Sequence, residues 1–161
     1  MTPVTEDHLD EVVENLSSEN KREIRLLGYA DLKMALRDMY EQSEAYVVRK
    51  DDGPILCIGG LWFVEDQDFP QMFTIFTEHA KNNFVGLIRG SRLLVQYLQQ
   101  SHPHITMTIH SDYEGILNWA TWLGFEPVGV MNAGYDKYVE FIRCNLGGNC
   151  VYDKAPRPVI H

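Results

Sequence analysis

Three β-type runs follow one another between Ala45 and Thr77, with helical spacing on both sides of them, so a fold for this chain must house a meander among helices. The first run is Ala45-Tyr46-Val47-Val48. Asp51-Asp52-Gly53-Pro54 then marks a turn, and a second run extends from Ile55 to Val64. Gly59-Gly60 inside it predicts a bulge or a close approach of another backbone. A polar loop through Phe69-Pro70 leads to the third run, Gln71 to Thr77. Upstream, Thr5 reads as the N-cap of a first helix carrying Leu9, Val12, Val13 and Leu16; the chain restarts at Ser17-Ser18 and stops at Gly28. Another helix from Asp31 places Leu32, Ala35, Leu36 and Met39 on one face.

Downstream, helix and strand alternate. Phe84, Leu87, Ile88, Ser91, Leu94, Val95 and Leu98 form one stripe of a long helix, and His104 to His110 alternates as a strand. Ser111-x-x-Glu114 has the form of a capping box for a short helix through Ile116, Leu117, Ala120 and Leu123, ended by Gly124. Phe125 to Met131 and Tyr138 to Arg143 read as two final strands. The fold class expected is α/β of the α+β kind, a mixed and mostly antiparallel sheet flanked by about four helices. The expected domain runs from 1 to 145, with 146–161 as an extended C-terminal tail.

The 161 residues carry a net charge of −9 and 45% hydrophobic residues. That composition suits one domain with a real core, and the acidic balance argues against nucleic acid as the main partner. No apolar run approaches the roughly 20 residues of a membrane span, and Met1 to Asp7 does not read as a signal peptide. Cys57 sits in an apolar run and reads as a buried hydrophobe, while Cys144 and Cys150 could pair. No spacing predicts a metal site. His104 and His110 read as exposed strand-end histidines, and Trp119 and Trp122 as packing residues.

The order of elements, with Trp119-Ala120-Thr121-Trp122-Leu123-Gly124-Phe125-Glu126-Pro127 before the penultimate strand, resembles the GNAT acyltransferase plan over about residues 4 to 143. The pattern Trp-x-x-Trp-Leu-Gly-Phe after His104-Ile105-Thr106-Met107, together with Ile24-Arg25-x-x-Gly28, Leu32-x-x-x-Leu36 and Ser43, is further similar to small GNAT-like internal virion (core) proteins of short-tailed bacteriophages. GNAT enzymes cradle the coenzyme A pyrophosphate on a glycine-containing loop before the long helix, because main-chain N–H groups must reach the phosphate oxygens. Here that stretch is Glu78-His79-Ala80-Lys81-Asn82-Asn83-Phe84, without a glycine before Gly86. The resemblance also implies a tyrosine acid in the short helix, at a position that holds Ala120.

These departures lead to the expectation of a non-enzymatic phage virion structural or head/core assembly protein. It would act through protein–protein contacts with other phage structural proteins or a host protein, without nucleic acid, membrane, metal or cofactor. Virion interior or host cytoplasm is the location this implies. Trp62, Pro156, Pro158 and Ile160 are the candidate partner-binding residues. The alternative is an N-acetyltransferase using acetyl-CoA with an atypical phosphate loop. Under it, Glu78, His79 and Tyr113 are the catalytic candidates, and Lys81, Asn82 and Asn83 the cofactor-binding ones. A third reading is a host-takeover factor that binds and inhibits a bacterial protein.

Overall fold

A computed structural model describes residues 1–144. The expected tail, with Pro156, Pro158, Ile160 and Cys150, lies outside the described residues. The hydrogen-bonded strand order is β1 (Thr2–Pro3), β2 (Ser43–Arg49), β3 (Ile55–Trp62), β4 (Gln71–Phe76), β5 (His104–His110), β7 (Asp136–Cys144), β6 (Glu126–Ala133), a mixed and mostly antiparallel sheet of seven strands. The chain divides into two compact units, one of residues 1–62 and 73–95, the other of 63–72 and 96 onward.

In the first unit, a short β1 (Thr2–Pro3) pairs with β2 (Ser43–Arg49), which pairs antiparallel with β3 (Ile55–Trp62). Helices α1 (Glu6–Glu14), α2 (Ser18–Leu26) and α3 (Leu32–Glu41) precede β2. Strand β4 (Gln71–Phe76) is followed by a single turn, α4 (His79–Asn82), and by the long α5 (Phe84–Leu98). Thr5 is the N-cap of α1, with its N–H donating to His8 Nδ1 at 3.0 Å. The break at Ser17 separates two helices rather than bending one, because the Ser17 oxygen caps α2 by accepting from the Asn20 N–H.

Apolar residues at helical spacing explain the packing. Leu9, Val12 and Leu16 meet Ile24, Ala35 and Leu36 in one cluster with Val47, Ile55, Ile58, Phe73 and Ile75. Seven of the eight residues of β3 are buried, which is how a strand with an apolar run rather than an alternation comes to read. Gly59-Gly60 resolves into a close approach. A Cβ at Gly60 would lie 2.4 Å from the Glu44 carbonyl oxygen and 2.9 Å from the Phe73 ring. The bulge between these two strands is elsewhere, at Val48/Arg49.

In the second unit, Gln71 and Met72 pair in parallel with β5 (His104–His110). Strand β5 pairs antiparallel with β7 (Asp136–Cys144), and β7 with the sheet-edge strand β6 (Glu126–Ala133). Between β5 and β6 runs α6 (Glu114–Trp122), which buries Trp119 and Ala120. Gly124 follows with φ +89°, the left-handed residue that ends the helix. The expected Ser111 capping box does not form. Tyr113 is the N-cap, and the Ser111 N–H instead donates to the Lys137 carbonyl at 2.8 Å. The described residues hold six helices rather than about four, because the first helix divides at Ser17 and a single turn, α4, follows β4.

Candidate functional site

Where β4 ends, the chain must turn into α5, and the polar residues at that junction are largely spent on each other. Glu78 leaves β4's end exposed to solvent, accepts the Ser18 N–H at 3.1 Å and pairs with Lys81 at 3.2 Å. The hydrogen bond from Lys81 holds the Glu78 carboxyl below its ordinary value; desolvation works against it, and the Ser18 N–H adds to the lowering. A carboxylate stabilised in its charged form is a weak proton acceptor. Lys81 also reaches Glu19, at 4.0 Å. His79 opens α4 and is half-buried, and Asn82 is exposed. The Asn83 side chain donates to the His79 carbonyl at 3.0 Å, and its own carbonyl accepts the first hydrogen bond of α5, from the Leu87 N–H at 2.9 Å.

The N–H groups of Val85 and Gly86 lie ahead of the Leu87 amide in the first turn of α5, a 15-residue helix with no acidic residue in that turn. Gly86 is the third residue of α5, inside the helix as its place in the apolar stripe implies. A Cβ at Gly86 would meet the Lys50 stem at 3.3 Å, so the glycine makes room for that side chain. Lys50 ends the β2 side of the turn, is exposed, and has no side-chain partner among the described residues. An uncommitted ammonium whose stem lies on the first turn of a helix is an arrangement suited to an anion. Sequence reading passed over Lys50 because it is 36 positions from Gly86 and sits beside the acidic turn Asp51-Asp52.

In the second unit, a different cluster forms at the end of β5. His110 was expected at an exposed strand end, yet it is 5% exposed. Its Nε2 lies 2.9 Å from Asp136 Oδ1, and its Nδ1 accepts the Asp112 N–H at 3.1 Å. That acceptor role assigns the proton to Nε2, which donates to Asp136. The rings of Tyr113 and Tyr138 each sit 5.1 Å from the imidazole. Both nitrogens being engaged, His110 is a buried polar hub joining β5, α6 and β7, and not a free base. Tyr113 packs on that hub. No local signal marks the pair, since 26 residues separate its members.

Trp62 is half-buried, stacked on Phe73 with ring centroids 4.8 Å apart, whereas Phe63 is exposed. Trp119 is core and Trp122 is 59% exposed. Burial pushes the Cys57 thiol up to about 12, with a hydrogen bond to Ser91 opposing, so it is no nucleophile at neutral pH. Among the described residues no group of three His, Cys, Asp or Glu side chains gathers as a metal site, and no helix is long and apolar enough to cross a membrane.

No protein-family model matches the sequence, and no curated protein matches it. Solved structures do match in fold. A ribosomal-protein-alanine N-acetyltransferase from Brucella melitensis aligns with a TM-score of 0.65 and 10% identity, over 88% of this chain and 97% of its own. A GNAT-family acetyltransferase from Bacillus anthracis gives a TM-score of 0.65 at 8% identity, over 89% and 92%. One from Bacillus cereus gives 0.61 at 16%, over 90% and 96%.

These neighbours overturn the expectation of a non-enzymatic virion assembly protein and favour the alternative. All three are acetyltransferases, and none of the three is a phage protein. The chain has the fold of the GNAT acetyltransferases.

Proposed function

We propose that this chain is an acyltransferase that takes acetyl-CoA and acetylates an amine. Two things support the reading: a fold shared with acetyltransferases over nine-tenths of the chain, and the first turn of α5. The second is the observation that carries it. The main-chain N–H groups of Val85 and Gly86, with the Lys50 ammonium, fit a phosphate group through helix polarity and one uncommitted cation. Glu78 does not spoil the fit, because Lys81 and the Ser18 N–H already offset its charge. Lys81 is correspondingly a poorer candidate than Lys50 for holding the cofactor.

Acetyl-CoA would supply a thioester, whose thiol leaves at an ordinary pKa of about 8.5 without a dedicated acid. Ala120, at the position where the resemblance implies a tyrosine, is fully buried in α6 and has no proton to give. Glu78 is committed and weakly basic. The chain therefore works by binding and orienting its reactants, and the amine must arrive uncharged or lose its proton to solvent.

Isothermal titration of the protein with acetyl-CoA tests the reading. A saturable heat is expected, weakened roughly fivefold to tenfold in Lys50→Glu, the scale of one screened ion pair turned into a repulsion. Lys50 is exposed, so the unfolding midpoint of the variant should stay unchanged. A folded wild-type protein that takes up no acetyl-CoA at millimolar concentration would end the proposal.

A further inference from the structure

Among the described residues, the last strand of the sheet has an uncovered rim. β6 closes the strand order, so one of its two backbone edges has no strand beside it among the described residues. Seven of its eight residues are exposed and the other, Val128, is half-buried. Val130 is 61% and Met131 37% exposed, on opposite faces of the strand. Edge strands are usually protected by charge, proline or a bulge. Here all three devices sit at the beginning: Glu126, Pro127 and the register shift between Pro127 and Gly129. The remaining stretch, Gly129-Val130-Met131-Asn132-Ala133, has no charge and no proline.

We propose that this edge pairs with the same edge of a second copy, antiparallel and about a two-fold axis near Met131. The pairing is self-complementary, since the uncharged stretch lies against itself. It sends the two Glu126 carboxylates to opposite ends, about 34 Å apart at 3.4 Å per residue, which is several screening lengths at physiological salt. A chain with a net charge of −9 repels its own copies. An uncharged rim is where two such chains approach at least cost, whereas a basic partner would gain nothing from it. Main-chain hydrogen bonds across the rim supply the attraction, and Val130 and Met131 would lose solvent on both faces.

Sedimentation equilibrium over about 1 to 100 µM, run beside hydrogen exchange of the 129–133 amides, tests this. A monomer–dimer equilibrium is expected, with protection of those amides rising with concentration. Val130→Lys and Met131→Lys, each entering the pair twice, should weaken the dimer by roughly tenfold or more. Each lysine lowers the net negative charge, so the weakening would not come from overall repulsion. Both side chains are solvent-exposed, and unchanged unfolding midpoints would confirm intact variants. A wild-type chain that stays monomeric throughout overturns the proposal. So does a dimer indifferent to both lysines. Protection that is independent of concentration and vanishes when residues 145–161 are removed would overturn it too, in favour of the chain's own terminus as occupant.

Discussion

Two antiparallel strand pairs in this molecule solve opposite problems. β2–β3 is a pair whose inner strand is almost wholly buried, and β6–β7 is a pair whose outer strand meets water almost everywhere. In β3, burial on both faces leaves no position for a polar side chain, and the strand reads Ile55-Leu56-Cys57-Ile58-Gly59-Gly60-Leu61-Trp62. Its ends are tied as well. Glu11 of α1 accepts from both terminal nitrogens of Arg49, at 3.1 and 3.0 Å, and from the Ile55 N–H at 3.1 Å, so one carboxylate clamps the strand ends on both sides of the turn. The β6–β7 turn is held differently, by backbone pairing up to Ala133–Asp136 and by the Asp136–His110 hydrogen bond on its far strand. Regular backbone pairing is thus common to both, while the share of stability carried by side chains differs greatly.

Removing buried volume should separate the pairs most. Leu56→Ala, at a residue with no exposure, is expected to cost about 2–5 kcal/mol, whereas Val130→Ala should stay within about 0.5 kcal/mol. Urea unfolding of the two variants reads the difference, and equal losses would erase the contrast. Adding a methyl should reverse sign between the pairs. Gly60→Ala drives a Cβ into the Glu44 carbonyl and should cost about 1–3 kcal/mol. A Cβ at Gly129 meets nothing within 4 Å, so Gly129→Ala should be neutral or stabilise by up to about 1 kcal/mol. Thermal melts of the pair would blur the distinction only if both moved the midpoint the same way.

The smallest expected effect concerns the clamp. Partial burial works to raise the Glu11 pKa, but the Arg49 and Ile55 hydrogen bonds outweigh it, and the carboxyl is held below its ordinary 4.5. A carboxylate with a depressed folded pKa contributes its full stability above 4.5 and loses it as pH falls through the folded value. Both partners are about a third exposed, so the contribution is on the order of 1 kcal/mol or less. Glu11→Gln should flatten the acid limb of a stability-against-pH curve below pH 4.5, while variants in β6–β7 should leave that limb unchanged.

Much of the first unit was legible because its signals are local or periodic. Thr5 and Gly28 mark helix ends by their own backbone chemistry, as Gly124 does in the second unit, and the Leu9-Val12-Leu16 spacing names a buried face directly. The apolar run of β3 announced its burial. Ser111 misled, because its N–H is taken by Lys137, a strand partner 26 positions away that no capping pattern can foresee. His110 misled for the same reason, since only the sheet brings Asp136 beside it. At the candidate site, the start of the long helix at Phe84 and the place of Gly86 inside it were legible from the apolar stripe. The role of Lys50 depends on the strand β2 lying against that helix, a tertiary fact absent from local sequence.

Glu78 serves two masters, as an acceptor at the start of α2 and as the counter-charge of Lys81. An alanine at this position would therefore loosen a helix entry and liberate a cation at the same stroke. Lost turnover in such a variant would say nothing about proton transfer. Glutamine keeps the oxygen that the Ser18 amide needs and surrenders only the charge, which makes it the substitution that can tell architecture from chemistry.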